Sequence, residues 1–189
     1  MYERFTPRAR WVMEQAGHVA KRMEHDYIGT EHVLLALLQE RHGHAQRVFK
    51  QLLTDLKKVG KETEKLAERG SHNMAIGKLR QTSHVKNVVK CAQDEAHARQ
   101  LPLVGTAMVL LGLLQEEDGI AAMVLTQNKV THRGVGSILQ TMSRSHVDLA
   151  KEDNVAAGSL LKQPWAIGAI AVVAALVLIA GVGKALGWW

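Results

Sequence analysis

The chain has 189 residues, 47% of them hydrophobic, which suits one ordinary domain with an appendage and excludes disorder as its general condition. Its single cysteine, Cys91, rules out an internal disulfide framework and any zinc site built from several thiolates. Lys plus Arg number 24 against 18 Asp plus Glu, so acidic partners or an anionic membrane surface are favoured. With only four Trp, two Tyr and two Phe, three of the tryptophans in an apolar tail, base stacking on nucleic acid is not supported.

The amino terminus, MYERFTPRARW, has no apolar run behind its first charges and reads as neither a signal nor a transit peptide. Thr6-Pro7 supplies an N-cap followed by proline at the first helical position, and Ala9, Val12, Met13, Ala16, Ala20 and Met23 recur at helical spacing behind it. The stretch YIGTEHVLLALL, Tyr27 to Leu38, is expected to open a second helix with Thr30 as its cap and Glu31 in the first turn, where a carboxylate complements the helix dipole. A third short helix is expected from near Ala45. Asp55 then opens a fourth along Leu56, Val59, Thr63 and Leu66, with the charged run Lys57 to Arg69 as its solvated face.

Residues 5–49 align with residues 81–125 at an offset of 76. Thr6 meets Thr82, Val12 meets Val88, Ala16 meets Ala92, Ala20 meets Ala96, Gly29-Thr30 meets Gly105-Thr106, Leu37 to Glu40 meets Leu113 to Glu116, and Gly43 meets Gly119. Residues 1–145 therefore read as an internal duplication, repeat one about 1–70 and repeat two about 78–145, with four helices in each copy and about eight in all. No segment alternates with period two, so no sheet is expected.

Beyond the repeats, residues 146–164 read as a linker ending in Pro164. The stretch PWAIGAIAVVAALVLIAGVGKALGWW follows, uncharged from Ala166 to Gly183. At about 1.5 Å per residue, Trp165 to Trp188 would cover roughly 35 Å, enough to cross a bilayer core. Tryptophans at both ends and a snorkelling Lys184 fit the interfaces, so residues 165–187 are expected to form a transmembrane tail anchor that leaves the amino-terminal domain in the cytoplasm. Gly181-Val182-Gly183-Lys184 resembles a phosphate loop, but Ala185 stands where Ser or Thr is needed.

Phe5-Thr6, Arg8-Ala9 and Tyr27-Ile28-Gly29-Thr30-Glu31-His32, with the leucines that follow, resemble the amino-terminal repeat domain of the Clp chaperone ATPases. The resemblance covers both repeats. It implies an all-α fold of two four-helix repeats related by pseudo-twofold symmetry, which in that family receives substrates and adaptors for the ATPase rings. The ATPase modules of the full-length proteins do not follow here, and the expected membrane helix stands in their place. Some members recognise phosphorylated arginine, with one pocket per repeat. By resemblance Thr6 would meet the phosphate and Glu31 would pair with the guanidinium, a chemically sound match of hydroxyl and helix-start amides to phosphate and of carboxylate to guanidinium. In repeat two Thr82 is kept but the carboxylate position is Ala107, leaving Lys78 and Arg80 as nearby cations.

Glu31 also has a plain structural reading, as a residue that favours a helix start, and His32 is read as structural. That repeat two has GTAM where repeat one has GTEH shows that the fold does not require the carboxylate. The ten histidines, His25, His32, His42 and His44 among them, show no HExxH and no i, i+4 pair with a carboxylate on the same face, so no metal is expected. Cys91, next to Ala92 on the periodic face, reads as a small buried side chain. With no nucleophile and base, metal set or nucleotide loop, the expectation is a non-enzyme without cofactor. It would be a membrane-tethered recognition module for client or adaptor proteins, with a Clp protease or chaperone as a further partner. The alternative is a regulatory subunit that docks on such a ring with a vestigial client pocket. Ala171 and Ala175, or Gly181 and Ala185, could bring two spans together, and the oligomeric state is left open.

Overall fold

The computed structural model describes residues 2–68 and 79–144. The linker and the anchor, with Lys78, lie outside the described residues, and among those described no helix is long and apolar enough to cross a membrane. Eight helices follow in order: α1 (Pro7–Arg22), α2 (Thr30–Gln39), α3 (His44–Gln51), α4 (Leu56–Leu66), α5 (Ser83–Ala98), α6 (Thr106–Gln115), α7 (Ile120–Gln127) and α8 (His132–Arg144).

Local chemistry sets most of the helix boundaries. Thr6 caps α1 by accepting from the Ala9 N–H at 3.2 Å with Pro7 in the first turn, and Thr82 caps α5 by accepting from Val85 N–H at the same distance. Asp55 opens α4 by accepting from the Lys57 and Lys58 amides. Helices α1, α3, α5 and α7 stop in matching fashion, on Glu24, Leu53, Gln100 and Lys129 at positive φ (63°, 53°, 55° and 63°). After each, the next amide reaches back to the last turn, as His25 N–H does to Ala20 O and Leu101 N–H to Ala96 O.

Helices α1 and α5 each lay one apolar face on the following helix; on α1 the expected stripe Ala9, Val12, Met13, Ala16, Ala20 and Met23 is buried throughout. Helices α2 and α6 are apolar on nearly all sides and form the centre, where Leu34, Leu37, Leu110, Leu111 and Leu113 are fully buried. Removing one such leucine to alanine would cost about 2–5 kcal/mol. Helices α5 and α6 approach especially closely, since a Cβ on Gly112 would lie 2.5 Å from the Val88 carbonyl oxygen, whereas Ala36 occupies the same place in repeat one. Helix α4 buries Val59 and Thr63, but Leu66, expected inward, is 44% exposed. Cys91, expected buried, is half-buried, and burial is the largest cause raising its thiol pKa.

Two corrections concern how the repeats join. The expectation of no strands misses short parallel pairings: β1 (Tyr27–Ile28) pairs with β2 (Arg80–Gln81), and Phe5 bridges Val104. At the offset of 76 these two pairings are images of each other, so the segment leading into each repeat pairs with the segment ahead of the other repeat's central helix. Such two-residue contacts are too short to leave an alternating pattern. The second correction concerns Thr30. Gly29 is the N-cap of α2, and the Thr30 hydroxyl instead accepts from the Ala121 N–H at the start of α7, 3.4 Å away. Thr106 reciprocates by accepting from Ala45 N–H at the start of α3, 3.1 Å away. Each central threonine thus serves a helix of the opposite repeat. A Cβ on either N-cap glycine would crowd the partner threonine, Gly43 against Thr106 Oγ1 at 2.5 Å and Gly119 against Thr30 Oγ1 at 2.9 Å.

Candidate functional site

The start of α2 is built around Glu31 and His32, both buried. The Gly29 N–H donates to His32 Nδ1 at 2.9 Å, so the proton of this imidazole sits on Nε2. That nitrogen lies 2.7 Å from His25 Nδ1 and must donate to it, and His25 Nε2 then donates to the Glu68 carbonyl at 2.9 Å. The chain Gly29, His32, His25, Glu68 has a single consistent direction with both rings neutral. Protonating either histidine would set two N–H groups against each other. Burial first, and then the neighbouring His25, push the His32 pKa down to about 4. Tyr27 stacks on His25 with ring centroids 5.1 Å apart and closes the outer side.

The Glu31 carboxylate folds back over Gly29, where a Cβ would overlap it and the carboxylate would have to move aside. One carboxylate oxygen stands 3.3 Å from His32 Nδ1, but that nitrogen already accepts from Gly29 and offers Glu31 no proton. Desolvation is the largest influence on Glu31 and raises its pKa, opposed first by its own backbone amide. A buried carboxylate held in this way is short of positive charge, and a cationic group brought to it would be bound favourably.

His25, Glu31 and His32 bring ligand atoms within 4.8 Å of one another. Their fit to a metal ion is poor, because every ring nitrogen is already engaged in the directed chain and an ion would have to displace those bonds. The histidines are thus explained by their hydrogen bonding, and His44 is buried at the start of α3.

The structure sorts the residues singled out from the sequence in a way their order along the chain does not suggest. Thr82 donates its amide to the Ile28 carbonyl at 3.0 Å, three residues before Glu31, and His84 lies close enough for its charge to act on Glu31. Thr6 donates its amide to the Val104 carbonyl at 3.0 Å, three residues before Ala107. The reciprocal strand pairing therefore ties Thr82 to the Glu31 corner and Thr6 to the Ala107 corner. Thr6 is buried and Thr82 half-buried.

Behind each corner stands an ion pair related by the same offset. Arg8 Nη1 meets Glu40 Oε1 at 2.7 Å with both side chains under one-tenth exposed, and Glu40 also accepts from the His42 and Gly43 amides. In repeat two His84 Nδ1 meets Glu116 Oε1 at 2.5 Å at the surface. Hydrogen bonding to Glu116 is the largest cause raising the His84 pKa. Sequence reading missed His84 and this pair of pairs, and the histidines it set aside as chance surface residues prove otherwise for His25, His32 and His44, which are buried. Laying Arg8 over His84 and Glu40 over Glu116 at the repeat offset would have found the pair of pairs, since both positions keep the capacity for an ion pair.

Residues 4–128 match the Clp repeat (R) N-terminal domain family. Over 124 residues the chain is 40% identical to the ATP-dependent Clp protease ATP-binding subunit ClpC of Staphylococcus saprophyticus, a match covering 66% of this chain and 15% of that protein. The chain thus spans a small part of the length of this relative. Among solved structures, the Hsp104 N-terminal domain of Candida albicans superposes with a TM-score of 0.65 at 16% identity, covering 80% of this chain and all of that one. A complex of the ClpV N-domain with VipB peptide superposes at 0.60 and 13% identity, covering 79% and 90%.

Proposed function

From the premise that this chain belongs to the Clp repeat N-terminal domain family, we propose that it is a non-catalytic recognition module for client or adaptor proteins, held at a membrane by residues 165–187. The observation that carries this reading is Glu31, a buried carboxylate that among the described residues pairs with no Lys or Arg, at a corner that also holds a helix-start threonine, Thr82. On this reading the guanidinium of a modified arginine meets Glu31 while its phosphate meets Thr82 and the first amides of α5, across the junction of the repeats rather than within one of them. Thr6 and Ala107 form the corresponding corner without a carboxylate, which therefore lacks the guanidinium partner. That a ClpV N-domain has been captured with a VipB peptide agrees with peptide recognition on this fold. The amino-terminal domain would face the cytoplasm, where a tether raises the local concentration of even a weak binder. Clients would pass to a Clp-type protease or chaperone.

The test is titration of a phosphoarginine peptide into the full chain in neutral detergent. Saturable binding abolished by Glu31→Gln supports the reading, and equal binding by the variant removes it. The same substitution is expected to raise the melting temperature at neutral pH. Desolvation lifts the folded-state pKa of Glu31, so the ionised form costs stability as pH rises through that window, and glutamine does not ionise. Ala107 favours a second reading, a regulatory subunit that docks on a protease or chaperone ring with its client pocket vestigial. That reading predicts no phosphoarginine binding but co-purification with ring components.

A further inference from the structure

Repeat one carries a basic basin that its partner repeat lacks. A cavity of about 500 Å³ opens beside α3, with Arg41, His42, Arg47 and Lys50 around it and Gln46 and Thr54 in its wall. All four basic side chains belong to exposed residues, yet they converge on one concavity. Among the described residues, no carboxylate forms an ion pair with Arg41 or Lys50. Of the nearby acids, Glu40 is occupied by Arg8 and by the His42 and Gly43 amides, and Asp55 is occupied by the first amides of α4. Within the wall, Gln46 Oε1 and Thr54 Oγ1 are buried atoms without a hydrogen-bond partner. Folding alone rarely leaves two such atoms on residues lining one cavity.

The duplication supplies the control. At the offset of 76, Arg41 and His42 become Glu117 and Asp118, Arg47 becomes Met123 and Lys50 becomes Thr126, while Gln46 and Thr54 become Ala122 and Val130. The helix, its glycine N-cap and its turn recur in both repeats, whereas every charged and polar residue of the basin is replaced and the charge of the loop is reversed. The fold therefore does not need these residues.

We infer that the basin beside α3 is a docking site for an acidic segment of a partner protein, separate from the Glu31 corner. Carboxylates of the segment meet Arg41 and Lys50, and the Thr54 hydroxyl and Gln46 amide supply neutral hydrogen bonds. The site also has an apolar component that favours a peptide: Leu56 lines the cavity, and Leu53, held at positive φ next to Thr54, is 91% exposed. A concave site fits a polypeptide better than a flat bilayer, and the absence of aromatic residues from its lining disfavours single-stranded nucleic acid.

The experiment is fluorescence anisotropy of the full chain in neutral detergent with a dye-labelled dodecapeptide of Asp, Glu and Leu. Its comparators are the same peptide with Lys for each acid, phosphatidylserine vesicles and a single-stranded oligonucleotide. The acidic peptide is expected to bind saturably, and more weakly as salt rises from about 50 to about 200 mM. The double variant Arg41→Glu with Lys50→Glu should weaken it about tenfold or more, with Arg41→Gln and Lys50→Gln intermediate. Glu117→Lys with Asp118→Lys and Glu31→Gln should leave it unchanged, the last separating this site from the phosphoarginine reading. Far-UV circular dichroism confirms that each variant is folded. Undiminished binding by the charge-reversed variant, equal binding of the Lys peptide, no binding of the acidic peptide, or binding confined to vesicles or oligonucleotide overturns the inference.

Discussion

The two repeats share their helices, their caps and even their positive-φ turns, but they differ in where they bury charge. Repeat one places Arg8, Glu31, His32 and Glu40 inside, each under one-tenth exposed. Repeat two has His84, Ala107, Met108 and Glu116 at those places, with its ion pair moved to the surface and its helix start made apolar. Since both versions fold onto the same backbone plan, the buried polar set of repeat one is not a requirement of the architecture. Burying charge is costly, and repeat two, which buries Glu95 instead, manages without it at these four places, which points to a use for the set in repeat one.

The sharpest break of this comparison is expected at the ion pairs. Glu40→Gln strands the Arg8 guanidinium, whose Nε already has no partner, and should cost about 3–5 kcal/mol in chemical denaturation. Glu116→Gln at the equivalent place should cost far less. Its effect should depend on pH: the His84 pKa is raised by its partner, so the contribution is present at low pH and fades as pH rises through the folded-state value.

Next in size is the imidazole chain. The His32 pKa falls from 6.5 to about 4, so the folded state binds a proton less readily than the unfolded state. Stability is full above the unfolded value and is lost as pH falls from about 6.5 to about 4, by roughly 3 kcal/mol in all. Thermal melts across that range should show the slope in the natural protein and lose it in His32→Met, which installs the residue repeat two uses. A slope that persists in that variant would place the acid sensitivity elsewhere.

The smallest effects should come from the exchanged caps. Thr30→Val and Thr106→Val should each cost about 0.5–2 kcal/mol. Hydrogen exchange should show fraying at the start of α7 for the first and of α3 for the second, each in the repeat opposite the mutation. Fraying confined to the mutated repeat would contradict the reciprocal bonding.

Much of the fold was legible along the chain. Thr6, Pro7, Asp55 and the apolar stripe of α1 act over three or four residues, and the duplication at 76 is visible without coordinates. The misreading of Thr30 shows where local reasoning ends. A threonine beside a glycine at a helix start looks like a cap for its own helix, and only the opposite repeat reveals that its hydroxyl serves α7. Leu66 looked inward by period, but it sits on the last turn of α4, where little packs over it.

The sequence by itself determined the family, the eight helices, the duplication and the singularity of Glu31, because each rests on residue types, on short spacings or on the recurrence of one pattern at an offset of 76. Only the tertiary structure decided what stands beside Glu31. It joined Thr82 and His84 to that corner, tied Thr6 to the other, engaged both histidines in one directed chain and gathered Arg41, Arg47 and Lys50 around a cavity. The first two groupings depend on the exchange of strands between segments more than fifty residues apart, which no local pattern encodes; the last two join residues nearer in sequence but need the burial and concavity that only the packed fold supplies.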